Sequence, residues 1–340
     1  MRKLRGTTGY TILILCLTAV LLVLCIAALC FGVYNVPFPQ TIKILLSNIF
    51  GIKQSWTNTM YVVIINVRLP RVIASVLIGF ALAVAGASYQ GVFQNPLVSP
   101  DILGVSAGAT VGAATAIVLG FSYYLNMVFA FLGGLLAVAL CMLLPALTKK
   151  KSTLALVLSG IIVGGFLSSI LGLIKYLAKP ETQLAEITFW QMGSLSKIHY
   201  SSLAIAAPLI ALCCLFLLMM RWRINALSLS DREAQSLGVS LVKERTLVII
   251  FSTVLTAVSV CISGTIGWIG LTMPHFARLL VGDDNAKVLP LAGILSAIFL
   301  TIVDLLARNL TGAEIPLSII TGFLGAPLFS ILLIRQRKVV

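Results

Sequence analysis

The sequence predicts an all-α membrane protein of about ten transmembrane helices in a single domain over residues 1–340, and three observations lead there. The 340 residues are 59% hydrophobic and only 10% charged, with a mean hydropathy of +1.09. A soluble domain carries roughly a quarter charged residues. Apolar runs near the ~20 residues that cross a bilayer as a helix recur along the whole chain, and about ten fit once the breaks are subtracted. The charges collect in those breaks.

Taken in order, residues 1–9 are short and basic (Arg2, Lys3, Arg5), which places the N-terminus in the cytoplasm because basic residues gather there. Residues 10–33 form the first span. The run is long for a signal-peptide core and shows no clear small-residue cleavage site, so it is read as a retained helix. Residues 34–60 form an interfacial loop with Pro37, Pro39, Lys43, Lys53 and Trp56. The second span, 61–89, opens with Arg68 and Arg71 around Pro70 on the outer side, against the usual charge bias. In the third, 102–121, Gly104, Gly108 and Gly112 are spaced by four and predict a face for close helix packing. The fourth, 126–147, is closed by Lys149, Lys150 and Lys151, the clearest cytoplasmic marker. The fifth, 154–177, carries a small, weakly polar stripe: Ser159, Gly160, Gly164, Gly165, Ser168 and Ser169. Residues 179–200 lie outside, and 202–220 make the sixth span.

The stretch 221–245 is the longest polar interruption of the second half. Within it SDREAQSLG predicts a short helix: Ser230 as N-cap, Glu233 completing a capping box, and Gly238 as the stop. A charged, capped helix between membrane spans is a surface for a cytoplasmic partner. The seventh span follows at 246–262. The eighth, 264–280, is broken by Gly267, Gly270 and Pro274; the ninth, 288–306, holds Asp304; the tenth, 314–334, ends before Arg335, Arg337 and Lys338, which place the C-terminus inside. Gly86, Pro96 and Gly104 recur as Gly264, Pro274 and Gly282 at a constant offset of 178. Five spans separate the sets, so a repeat of halves 60–200 and 246–335 would be inverted.

Several functions are excluded by what is missing. No GxxxxGK[ST] loop, HExxH or GxSxG occurs, and only two histidines, His199 and His275, are present. The chain therefore has no ATP-hydrolysing loop of its own, no resident metal site and no nucleophile–base set for an intramembrane enzyme. The seven cysteines lie inside apolar runs without a CxxC pair, which reads as packing rather than disulfides or ligands. The net charge of +14 follows from the cytoplasmic bias of basic residues rather than from nucleic-acid binding. Asp304 is the main acid embedded in an apolar run and is expected to pair with Arg308 four residues on. One paired acid is a poor basis for an ion-coupled secondary transporter, the alternative class, so energy is expected from a partner.

The run RLPRVIASVLIGFALAVAGASYQGVFQNPLVSPDILGVSAGA, followed by SGTIGWIGLTMPHFARLLVGDD, DLLAR and AEIPLSIITGFLGAPLF, resembles the FecCD-type permeases, the membrane subunits of type II ABC importers for ferric siderophores, haem and vitamin B12. The resemblance runs from about residue 66 to the C-terminus. It implies a homodimer in the cytoplasmic membrane, two ATP-binding cassette subunits below that use ATP and Mg, an extracytoplasmic solute-binding protein above, and a ferric or similar metal chelate as cargo, with haem, cobalamin or molybdate as alternatives. No cofactor is expected on this chain itself. The resemblance assigns Ser230, Asp231, Arg232, Glu233, Ala234, Leu237 and Gly238 to the ATPase-coupling helix. It assigns Arg68, Arg71 and Arg308 to docking of the binding protein's carboxylates, a role suited to the planar guanidinium. Ser159, Gly160, Ser168, Ser318 and Thr321 become candidates for the translocation path, and Gln90, Asn95, Pro96, Gly104 and Pro274 structural members of the motifs.

Overall fold

The computed structural model describes residues 6–147 and 153–336. The basic markers Arg2, Lys3, Arg5, Lys149, Lys150, Lys151, Arg337 and Lys338 lie outside the described residues. The described chain is a bundle of helices without a strand. α1 (Thr7–Cys30) leads to the short α2 (Phe38–Phe50), which occupies the expected interfacial loop. α3 (Asn58–Tyr61) passes through a π-helical stretch, Val62–Arg68, into α4 (Leu69–Phe93), forming one 36-residue rod. Then come α5 (Val105–Val118), α6 (Tyr123–Leu147), α7 (Thr153–Leu177), α8 (Ala185–Met192), α9 (Tyr200–Met219), α10 (Arg221–Leu227), α11 (Asp231–Ser236), α12 (Leu241–Ser263), α13 (Ile269–Val281), α14 (Asn285–Asn309) and α15 (Leu317–Gln336).

Seven described helices are long and apolar enough to cross a membrane, and α5, α13 and residues 317–332 of α15 add three shorter apolar ones. Burial sorts them. The rod ending in α4 has 78% of its apolar window buried, whereas α1 has 11%. α4, α12 and α14 thus form the interior, while α1 and α7 turn wide apolar faces outward. Leu154, Leu158, Ile161, Ile162 and Phe166 of α7 are all exposed.

The expected third and eighth spans are half-helices. α5 has 14 residues, about 21 Å at 1.5 Å each, short of the ~30 Å hydrocarbon thickness. The stretch 94–104, irregular except for a 3-10 turn at Pro100–Leu103, covers the rest of the depth. Gly104 ends it with φ +75° as the N-cap of α5, so Gly104 does not share a helix face with Gly108 and Gly112. Those two do pack closely: an added methyl at either would run into the backbone carbonyl of Gly133 or Phe129 on α6. Likewise residues 264–268 are non-helical, with Gly264 at φ +70° and Trp268 at φ +71°, and α13 starts only at Ile269. The two breaks meet on α4. Pro274 cannot donate to the carbonyl of Gly270 four residues back, and Gly86 of α4 lies against that carbonyl so closely that a methyl there would collide with it.

The offset of 178 does not align equivalent positions. Gly86 is in mid-helix while Gly264 caps one. Pro96 lies in a loop while Pro274 is inside α13. Gly104 opens a helix while Gly282, at φ +85°, closes one.

Candidate functional site: the two polar ends of α4

At one end of the bundle the chain builds α11. Ser230 Oγ accepts from the Glu233 amide at 3.4 Å, while Glu233 Oε2 accepts from the Ser230 amide at 3.0 Å and from its hydroxyl at 2.6 Å. These bonds hold the Glu233 carboxyl below the usual carboxylate range. The C-terminus closes with Gly238 at φ +76°, its amide donating to Gln235 O at 2.9 Å, and with the Val239 amide donating to Ala234 O at 3.1 Å, the paired bonds of a Schellman stop. Ala234 and Val239 are buried and pin the helix, while Asp231, Arg232, Glu233 and Leu237 are exposed. Arg245 on α12 donates to Asp231 Oδ1 at 2.5 Å and, chiefly through that hydrogen bond, lowers the Asp231 carboxyl.

A hydrogen-bonded lattice behind α11 ties it to the core. Gln94, with φ +53° at the end of α4, donates from Nε2 to the carbonyls of Leu227 (3.1 Å) and Leu229. Asn225 of α10 donates to Asp284 Oδ1 at 2.7 Å and accepts from the Asn285 amide at 2.6 Å; Asn285 Nδ2 donates to Ser228 Oγ at 3.2 Å. Arg278 of α13 donates to Asn285 Oδ1 (3.2 Å) and Gln90 Oε1 (3.4 Å), and Gln90 Nε2 reaches the carbonyls of Val98 and Leu271, both at 3.3 Å. Asn95 Oδ1 accepts from the Leu97 amide at 2.9 Å, so Gln90 and Asn95 each bond a backbone group within the break at 94–104. Beside α11, Gln94, Asn95, Trp222, Leu229, Leu237 and Arg278 help line an open cavity of about 550 Å³. The sequence reading passed over Gln94, Asn225, Arg278 and Asn285. Their only signal is a cluster of amides, with one arginine, at span ends.

Around the other end of α4 stand the three arginines expected to face an acidic partner, Arg308 coming from α14, and all three are engaged, with Arg68 and Arg71 buried. Arg68 is 4% exposed and donates to the carbonyls of Leu29 (2.7 Å), Cys30 (2.9 Å) and Tyr34. Arg308 donates to Ala28 O at 2.8 Å. α1 has no basic residue in its last turn, and these two guanidiniums satisfy the carbonyls a helix leaves unpaired at its C-terminus. Arg71 is 6% exposed; its Nε meets Asp304 Oδ1 at 2.5 Å and its two terminal nitrogens meet Glu314 at 2.9 Å each. The expected Asp304–Arg308 pair exists at 3.2 Å, but as one side of a four-residue network in which Arg71 supplies the directed hydrogen bonds. Glu314, the least buried member, also accepts from Ser194 Oγ at 2.7 Å.

The path candidates separate. Ser159 is buried and donates to Ala155 O at 2.7 Å. Gly160 packs against the carbonyl of Ile102, and Thr321 is fully buried. These three are packing residues rather than lining. Ser318 is half-buried, and Ser168 is exposed to a cavity.

A bundle of apolar helices, with half-helices at two breaks and a capped polar helix at one end, is the architecture of a multi-pass membrane protein. The chain belongs to the FecCD transport family, which matches residues 20–335. It is 41% identical over 282 residues to a Helicobacter pylori permease named for iron chelatin transport, covering 83% of this chain and 85% of that one. It is 38% identical to the molybdate import permease MolB of Haemophilus influenzae over 95% of each chain. Among solved structures, an ABC transporter described as metal-chelate type, in an inward-facing conformation, superposes with a TM-score of 0.85 at 37% identity, covering 95% of this chain and 99% of that one.

Proposed function

We propose that this chain is the permease subunit of an ATP-driven importer in the cytoplasmic membrane that moves a ferric siderophore or similar metal chelate by alternating access. The observation that carries the reading is α11: six residues capped at both ends, exposed on their outer face and hydrogen-bonded to α12 through Asp231, with the segment leading into it, residues 227–229, tied to the end of α4 and to α14. A helix so held transmits a push to the bundle instead of absorbing it. Hydrolysis of ATP with Mg belongs, on this reading, to two cassette subunits docked on the α11 end, which faces the cytoplasm together with both termini. A second copy of the chain completes the path against the exposed face of α7. A solute-binding protein delivers cargo at the opposite end. There Glu314 occupies Arg71, so an acidic partner would meet Arg71 only by displacing that carboxylate.

Replacing residues 231–238 with a Gly/Ser linker is expected to abolish uptake of a ferric chelate into proteoliposomes holding the whole transporter, with permease content unchanged. Normal uptake by that variant would overturn the coupling role. The identity to the molybdate permease favours an oxyanion as the second reading of the cargo.

A further inference from the structure

We propose that Asp101 and the hydroxyls around it form an acceptor-lined waypoint in the translocation path, which accommodates a neutral or cationic cargo rich in hydrogen-bond donors and turns away oxyanions. The proposal rests on the importer reading and narrows its cargo.

Asp101 lies in the break between α4 and α5, on a single 3-10 turn, Pro100–Leu103, where the α-helical ladder is interrupted. Such an interruption at membrane depth is tolerated where it is buried in protein or lines a water-filled cavity. The flanking Pro100 and Leu103 are buried while Asp101 is exposed. It opens on a cavity of about 270 Å³ that also takes in Ser106, Thr110, Ser168, Gln191 and Thr265. An ionisable side chain at that depth marks a pathway more often than a structural accident.

The hydrogen bonds of this wall give it a direction. Thr110 Oγ1 donates to Ser106 O at 2.7 Å, Ser168 Oγ to Gly164 O at 2.8 Å, and Thr265 Oγ1 to Gln191 O at 2.5 Å. Ser106 Oγ donates to Asp101 Oδ1. Each hydroxyl has one proton, and each spends it within the protein. What these groups turn toward the cavity is lone pairs, beside a carboxylate. Lys175 reaches the neighbourhood through Gln191 Oε1 at 2.6 Å and is not part of the lining. A tetrahedral oxyanion needs donors, and among the side chains it would meet one donor group, the Gln191 amide NH2, against four hydroxyl acceptors and a like charge. A chelate that presents amide or hydroxyl protons, or positive charge, finds acceptors in the four hydroxyls and the carboxylate. The walls remain weakly polar, so passage need not stall on a tight site.

The test uses the full-length permease in membranes with Ser168→Cys as a reporter and the Ser168 parent as blank for the native cysteines. Rates are measured for a cationic (trimethylammonioethyl) and an anionic (sulfonatoethyl) methanethiosulfonate, each normalised to a free thiol in solution. The cation is expected to react about tenfold faster, the order of a local field acting on a charged reactant. The preference should persist in Asp101→Glu and fall to near unity in Asp101→Asn. A preference unchanged in Asp101→Asn, or no reaction with either reagent, overturns the waypoint. This readout needs no cargo, so it fails independently of the importer reading. That reading is tested by uptake of a neutral ferric trihydroxamate and of molybdate by the wild type. Chelate uptake with molybdate excluded supports the waypoint. Equal uptake of both leaves the importer standing and overturns the charge filter, and uptake of molybdate alone overturns the filter and the metal-chelate cargo while the importer class stands.

Discussion

The two ends of α4 use charge in opposite ways. At its start, Arg71 and its neighbours are closed from solvent: Asp304 is 0% exposed and shared between two guanidiniums. Twenty-odd residues further on, Gln90 and Gln94 join a lattice of amides and backbone carbonyls in which Arg278 donates to Gln90, and beside it the exposed Asp231 pairs with a largely covered Arg245. Burying a charge away from water is costly unless it is paired, and removing one partner then exposes the full penalty. A solvated pair or a neutral hydrogen bond is worth far less. The first end is therefore built to stay as it is, and the second to be firm yet reachable.

That contrast can be broken by mutation. Arg71→Met should have the largest effect, about 3–5 kcal/mol of lost stability from a buried, under-compensated Asp304, seen as an earlier thermal transition in detergent. Asp304→Asn added to Arg71→Met should recover most of the loss, and a double variant no better than the single one would show that packing rather than charge is at stake. Arg68→Met comes next, about 1–3 kcal/mol, because the carbonyls of Leu29 and Cys30 lose their donors. At the other end, Ser230→Ala should cost about 1 kcal/mol confined to α11. It should lower uptake several-fold while the thermal transition of the bundle stays in place; a shifted transition would mean that α11 is integral to the core.

The smallest effect is expected from pH. Asp231 and Glu233 both have folded-state values depressed below their unfolded ones. Their contribution is present above the unfolded carboxylate range near pH 4 and disappears as pH falls through the folded values. Hydrogen-exchange protection of α11 amides should be level between about pH 8 and 5 and decline only below about 4. Decline already at pH 6 would require a different titrating group.

Local patterns were legible in the sequence where they act within a few residues. The SDREAQSLG cap is reproduced bond for bond, because both partners of a capping box lie within one helical turn. The Gly108–Gly112 contact face was equally readable from spacing alone. The misreadings concern partners far along the chain. Arg68 looked free because its acceptors are 34–39 residues away, and Arg71 because its carboxylates are 233 and 243 residues away. The serine stripe of α7 was visible, but not which of its members would be covered: Gly160 is covered by the carbonyl of Ile102, in another element.

By itself the sequence determined that this is a multi-helix membrane protein with a capped polar helix between its spans, since hydropathy, helix length and capping are properties of contiguous residues, and its motifs carried the resemblance to the permease family. Only the tertiary structure decided that two spans are half-helices, that the rim arginines cap α1 and hold Asp304 and Glu314, and that Asp101 faces a cavity. Those outcomes depend on where an apolar bundle leaves an unpaired carbonyl, an uncompensated charge or an opening, and such places exist only once distant helices have packed.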